Sequence, residues 1–134
     1  MDNILKLTMI TPEKEFYAGD IIEIVTENEA GRIGFLPNHI AMVTVLKPSV
    51  TTFTQKDGKK LKAFTSSGVL SIKDNDIKLM CDACEWPEEI DLQRAEEAQK
   101  RAEMRLKESN NEININRAEV TLMRATMRIK AKNM

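Results

Sequence analysis

From residue 4 to residue 81 the apolar positions recur mostly every second residue. Leu5, Leu7 and Met9 stand on one side of a first strand, with Lys6 and Thr8 on the other. That is the period of a half-buried β-strand. Thr11-Pro12-Glu13 ends it. Residues 15–18 predict a short second strand, Gly19-Asp20 a turn, and residues 21–26 a β-branched third strand. Apolar or alternating runs follow at residues 33–36, 40–46, 50–54, 61–65, 69–72 and 77–81, punctuated by Pro37-Asn38-His39, Lys47-Pro48, Lys56-Asp57-Gly58-Lys59, Ser66-Ser67-Gly68 and Asp74-Asn75. About nine short strands with no helical period among them predict an antiparallel β-sandwich or barrel.

Past residue 90 the period changes. Ala95, Ala98, Ala102 and Leu106 recur at steps of three and four, as do Ile115, Ala118, Leu122, Ala125 and Ile129. Each set lies on one face of a helix. The turn-favouring Ser109, Asn110 and Asn111 separate the two. The predicted fold is therefore an N-terminal β-sandwich over residues 1–86 followed by a two-helix antiparallel hairpin over residues 87–134. Glu85-Trp86-Pro87-Glu88-Glu89 serves as hinge, since Pro87 cannot continue a helix backwards. Glu88, Glu89 and Asp91 suit a helix N-terminus, where acids meet the positive end of the dipole. The helical stripes are narrow and rich in alanine, so they bury little area and seal the hairpin weakly.

Folding the hairpin brings the start of the first helix beside the end of the second. Asp91 and Arg94 then lie near Arg124 and Arg128, with Arg117 a heptad earlier. Three guanidiniums meet one carboxylate, leaving spare positive charge of the kind that matches phosphate oxygens. The alternative is a solvated basic stripe that keeps the tail soluble. The stretch from residue 112 to 134 holds five bases and two acids, whereas the whole chain of 134 residues carries a net charge of −1. That overall balance argues against nucleic acid as main partner. No apolar run is long enough to span a bilayer, and Met1-Asp2-Asn3-Ile4 lacks the blocks of a signal peptide, which predicts a cytosolic chain.

Catalytic chemistry is hard to find. There is no GxxxxGK[ST] phosphate loop and no GxSxG elbow. His39, the single histidine, follows Pro-Asn in a turn and has no evident base or metal partner. Cys81 and Cys84 make a CxxC at the end of a strand, without the βαβ setting of a redox motif or the four ligands of a zinc site, and read as ordinary cysteines.

Gly31-Arg32-Ile33-Gly34-Phe35-Leu36-Pro37-Asn38-His39 resembles the turn motif of the ε subunit of F-type ATP synthases. Ser67-Gly68-Val69-Leu70-Ser71-Ile72 is similar to that family's Gly-Gly-Phe strand, and residues 79–85 to its Val-Leu-Ala-Asp-x-Ala-Glu segment with Cys81 and Cys84 replacing alanines. Ile90-Asp91-Leu92-Gln93-Arg94-Ala95 matches the ATP-binding [IL]DxxRA motif of bacterial members. The resemblance covers essentially the whole chain in order.

It implies a β-sandwich of about ten strands with a C-terminal helical hairpin. It also implies a non-catalytic rotor subunit at the cytoplasmic face of a bacterial membrane, held by the γ subunit and seated on the c-subunit ring. The loop carrying Glu29, Gly31, Arg32, Gly34, Pro37, Asn38 and His39 would face the ring and γ. The hairpin, extended, would reach the α/β catalytic subunits and inhibit hydrolysis. ATP, as a regulatory ligand and not a catalytic cofactor, would favour the folded hairpin through Ile90, Asp91, Arg94, Ala95, Arg124 and Arg128, with Glu85 and Arg117 as weaker candidates. No metal is implied. The competing expectation is a stand-alone β-sandwich adaptor whose basic helix docks an acidic partner.

Overall fold

The computed structural model describes residues 3–108 and 111–134. Nine strands come first: β1 (Leu5–Ile10), β2 (Glu15–Asn28), β3 (Gly31–Phe35), β4 (Met42–Leu46), β5 (Ser49–Gln55), β6 (Lys60–Thr65), β7 (Gly68–Lys73), β8 (Asp76–Cys81) and β9 (Cys84–Glu85). One turn of 3₁₀ helix (Pro87–Glu89) then leads to α1 (Leu92–Glu108) and α2 (Glu112–Asn133). The sheet runs β1-β8-β7-β4-β2-β5-β6-β9, with β3 beside β2 and a second pairing of β1 with β2 that folds the sheet over into two layers.

The long strand β2 joins those layers. Its first half pairs with β1 (Leu5↔Ile21 to Ile10↔Glu15) and its second half with β3 and β5. The turn expected at Gly19-Asp20 does not exist, because both residues lie inside this single strand of 14 residues. The glycine is there for a different reason. A Cβ at Gly19 would stand 2.8 Å from the Tyr17 hydroxyl, so the residue makes room for a ring folded along its own strand. All pairings are antiparallel save one, β1 with β8, which run parallel from Lys6↔Asp76 to Ile10↔Met80.

The core lies between the layers. Leu5, Met9, Ile21, Ile24, Phe35, Phe53, Leu70, Ile77 and Leu79 are almost wholly buried there. On one side a ladder of hydroxyls replaces hydrocarbon: Thr51 Oγ1 lies 2.8 Å from Thr26 Oγ1 and 2.7 Å from Thr65 Oγ1. Each buried hydroxyl in that ladder has a partner, which offsets its desolvation. Trp86 belongs to this body as well, stacking on Phe16 with ring centroids 4.4 Å apart. The expected hinge at residues 85–89 is therefore not free. Glu85 is part of β9, and Trp86 is pinned by its ring.

Both helices form where the three-and-four spacing places them, with Ala95, Ala102, Ala118 and Ala125 buried on the facing stripes. Ser109 and Asn110, expected in the break, lie outside the described residues. Asn111 caps α2, its side chain accepting from Ile113 N–H at 2.9 Å. Among the described residues a polar bond crosses the seam from Gln99 Nε2 to Thr126 Oγ1 at 3.3 Å. At roughly 0.8 kcal/mol per buried methyl, four alanines supply only about 3 kcal/mol to the seam. The outer side of α2 lies on β5 and β6. Ala131 and Met127 meet Phe64, Val50, Ala83 and Ile90 in a second, smaller apolar cluster.

Candidate functional site

Where α1 begins, the chain makes two local decisions. Trp86 N–H donates to Glu89 Oε1 at 3.1 Å and Glu89 N–H donates to Trp86 O at 3.0 Å, which closes the turn Pro87–Glu89. Ile90 is then extended (φ −83°, ψ 125°), which points its side chain into the cluster with Phe64 and Ala131. So α1 starts at Leu92, one turn before Ala95, the first residue of its apolar stripe. The first acids are divided between two turns. Glu88 and Glu89 belong to the 3₁₀ turn, and Asp91 caps α1 through Oδ1, which accepts from Arg94 N–H at 3.1 Å. Replacing Asp91 by alanine removes that cap and is expected to destabilise α1 by about 1 kcal/mol. Faster amide exchange confined to residues 92–96 is the measurement that checks it.

Beside this corner is a cavity of about 400 Å³ lined by Glu85, Glu89, Ile90, Asp91, Arg94, Ala95, Ala98, Arg101 and Arg128. Arg128 enters it from α2 already engaged. Its Nε donates to Glu85 Oε1 at 2.9 Å and its Nη2 to Glu85 Oε2 at 3.2 Å, while its guanidinium carbon sits 4.6 Å from the Phe64 ring centroid. The two-pronged geometry and the aromatic face both hold the guanidinium flat. Among the described residues Arg94 and Arg101 make no ion pair.

Of the residues expected to meet, Ile90, Asp91, Arg94, Ala95, Arg128 and Glu85 share this cavity. Arg124 is not part of its lining. Its Nη2 lies 3.5 Å from Asp82 Oδ2, and its Nε is buried without a partner among the described residues. Arg117 is more remote still, lining a separate hollow with Arg105, Glu108 and Asn114. The expected excess of positive charge is also not what the fold presents. Asp82 and Glu85 come up from the sheet and pair with Arg124 and Arg128, so two of the three guanidiniums already have carboxylates. Pairing along one helix cannot foresee this, because both partners are more than forty residues away in the chain. Arg101 was legible: it lies seven residues after Arg94, on the same face. Asp82 and Glu89 carried no such signal.

Two further contacts tie down the end of α2. Lys132 Nζ donates to Pro87 O at 2.9 Å, and Lys62 Nζ donates to Met134 O. The hairpin is thus held to the sheet by ion pairs, lysine bonds and a small apolar cluster, a set in which exposed charges count for little each.

The loop expected to meet partners lies between β2 and β4. Gly31 (φ 117°) and Asn38 (φ 68°) take left-handed backbone. Asn38 N–H donates to Asn75 Oδ1 at 2.6 Å, so the loop is braced against the turn between β7 and β8. His39 Nδ1 lies 2.7 Å from Ile40 O and its ring packs on Phe35, centroids 4.8 Å apart, which accounts for it structurally. Glu29, Arg32 and Gly34 are exposed, and Gly31 and Pro37 are half-buried. Sequence reading missed the apolar residues beside them. Leu36, Ile40, Val43 and Val45 are 57%, 80%, 71% and 64% exposed. Single exposed apolar residues are ordinary, whereas four this exposed between residues 36 and 45 are not. The signal was present, since β4 carries apolar residues on both of its faces.

The described residues hold no cluster of three or more metal-ligating side chains and no helix long and apolar enough to cross a membrane. Fold and site together define a β-sandwich protein carrying a helical hairpin that is docked on the sheet through arginine–carboxylate pairs. Residues 4–87 match the family described as ATP synthase, Delta/Epsilon chain, beta-sandwich domain, and residues 88–133 match ATP synthase, Delta/Epsilon chain, long alpha-helix domain. The ATP synthase epsilon chain of Clostridium kluyveri is 55% identical over 106 residues, 79% of this chain and 80% of that one. That of Clostridium acetobutylicum is 52% identical over 111 residues, 83% and 84% of the two chains. The chain belongs to the ATP synthase delta/epsilon family, and its relatives are bacterial epsilon chains.

Solved structures agree on the fold. A chain from the cryo-EM structure of the Euglena gracilis mitochondrial ATP synthase OSCP/F1/c-ring superposes with TM-score 0.86 at 20% identity, covering 100% of this chain and 84% of that one. One from the Tetrahymena thermophila mitochondrial central stalk and c-ring gives 0.67 at 14% identity, with 96% of each chain covered.

Proposed function

We propose that this chain is a non-catalytic central-stalk subunit of a proton- or sodium-translocating F-type ATP synthase, peripheral to the cytoplasmic face of a bacterial membrane. The sandwich is held by γ and rests on the c-subunit ring through the braced loop of Glu29, Gly31, Arg32, Gly34, Pro37, Asn38 and His39. The exposed row of Leu36, Ile40, Val43 and Val45 supports that docking. The hairpin in its docked form permits hydrolysis. Released and extended along γ, it reaches the α/β catalytic subunits and blocks rotation. A seam of alanines and a set of half-exposed ion pairs make the two arrangements close in free energy, so a ligand that binds one of them shifts the population.

ATP is that ligand, and it binds the docked form. The observation that carries this reading is the cavity at the start of α1, where among the described residues Arg94 and Arg101 make no ion pair and Arg128 is already oriented. Arg94 and Arg101 take the phosphates and Arg128 turns from Glu85 to join them. Ile90, Asp91 and Ala95 hold the base side of the cavity. Arg124 acts from outside it by keeping α2 on Asp82, and Arg117 takes no part. The stand-alone adaptor reading has no observation in its favour.

Isothermal titration of the full chain with ATP tests the nucleotide reading. Saturable heat at or below millimolar ATP is expected, and its absence removes the sensor while leaving the stalk role. Within the reconstituted synthase, deleting residues 88–134 is expected to raise ATP hydrolysis severalfold. Unchanged hydrolysis would remove the inhibitory role of the hairpin.

A further inference from the structure

Strand β6 is paired along the whole of one edge and along only part of the other. On its inner side it meets β5 from Ser49↔Thr65 to Thr54↔Lys60. On its outer side β9 covers it at Phe64 and Thr65 alone, opposite Glu85 and Cys84. Continuing that register would set Pro87 opposite Lys62. Proline has no N–H to give, and the chain leaves the sheet there for the 3₁₀ turn. Backbone groups alternate sides along a strand. Gln55 N–H donates to Lys59 O on the β5 side, and Ser66 N–H donates to Ala83 O on the outer side. The even-numbered residues of β6 therefore turn their N–H and C=O outward. Those of Lys60 and Lys62 have no backbone partner among the described residues.

The open edge borders a cleft of about 490 Å³ lined by residues 59–62 of β6 with Tyr17, Trp86, Pro87 and Glu88. Charge is concentrated beside it. Residues 56–62 hold four lysines against Asp57, in a chain whose net charge is −1. None of the four makes an ion pair among the described residues. Lys62 Nζ is taken up by Met134 O, whereas Lys56, Lys59 and Lys60 are exposed. Lysines on an edge keep other strands away by repelling like charge. A second copy of this chain would set lysine against lysine, and the same charge selects an acidic strand.

We propose that the open edge of β6 takes an extended acidic segment of a partner protein as an added antiparallel strand, in line with β9. Its backbone bonds the outward N–H and C=O of Lys60 and Lys62. Its residues opposite those lysines share their face of the sheet and are the acids. The alternate residues share the face of Leu61 and are apolar, lying in the cleft toward Tyr17 and Trp86. The edge has no lining residue in common with the cavity assigned to ATP.

The test uses the full chain, isotope-labelled and free of nucleotide, with the capped peptide Glu-Val-Glu-Thr-Glu-Val-Glu. NMR reads the solvent exchange of the Lys60 and Lys62 amides. Saturable binding that slows both by roughly tenfold is expected, with little change at Leu61 and Ala63, which already bond β5. The same peptide with its glutamates N-methylated keeps its charge and loses the donors that face β6, and it should bind at least about tenfold more weakly. Replacing Lys59→Gln and Lys60→Gln together should weaken the unmodified peptide by roughly tenfold, two exposed ion pairs being lost. No binding at millimolar peptide, or binding that leaves both amides exchanging as before, would overturn the proposal. Equal binding of the N-methylated peptide would overturn strand addition, and equal binding by the double variant would overturn the selection for acids. ATP is absent throughout, so no result here bears on the nucleotide reading.

Discussion

A chain carrying Arg94→Ala and Arg128→Ala together is expected to bind ATP about a hundredfold more weakly than the unaltered chain, a loss of about 2.7 kcal/mol. Each guanidinium supplies charge-assisted bonds to phosphate worth roughly 1.5–3 kcal/mol when made. The two do not contribute alike. Arg94 has no ion-pair partner among the described residues, so its full bond is gained on binding. Arg128 leaves Glu85, where it makes bonds of 2.9 and 3.2 Å, and gains only the difference. The single variants separate these cases. Arg94→Ala keeps the hairpin latched and should lose about tenfold in affinity. Arg128→Ala loses a phosphate donor and a latch at once, so amide exchange in α2 should also quicken. Titration calorimetry on the three variants, run beside exchange, reads both effects. Affinities equal to that of the unaltered chain would move the phosphates out of this cavity.

Gly68→Ala is expected to lower the stability of the sandwich by about 3 kcal/mol, a large share of the roughly 5–15 kcal/mol that holds a domain folded. The reason is backbone and not conformational freedom. A Cβ at Gly68 would collide with Met80 O and stand 2.8 Å from Cys81 Cα. Gly68 pairs with Leu46 on one side and with Cys81 on the other, so no direction is open for the added carbon. Only separation of β7 from β8 relieves the clash. Chemical denaturation followed by tryptophan fluorescence measures the loss, since Trp86 is stacked on Phe16 within the same body. A change of under about 0.5 kcal/mol would mean that the two strands part without cost.

Most of the strands and both helices were legible in the chain because a buried face imposes its period locally. Leu5, Leu7 and Met9 need no knowledge of their neighbours to declare a strand, nor do Ala118, Leu122 and Ala125 to declare a helix. Gly19 misleads for an equally physical reason. A glycine that relaxes backbone in a turn and one that makes room for the Tyr17 ring look identical in sequence. The parallel contact of β1 with β8 was illegible too, because alternation marks a strand's two faces and says nothing of which strand lies at its edge.

At the site, the sequence could place Asp91 and Arg94 on one helix and Arg124 and Arg128 on the other, since spacing determines which residues share a face. It could not assign the arginines of α2 to their carboxylates. Asp82 and Glu85 meet them only because α2 lies along β5 and β6 with Ala131 and Met127 against Phe64.

The order of elements, their faces and membership of the family were thus written in local periodicity and motif. The charge balance of the cavity and the removal of Arg117 and Arg124 from it were set by docking. Periodicity depends on neighbours three or four residues apart, whereas an ion pair depends on a distance in space that no single element can specify.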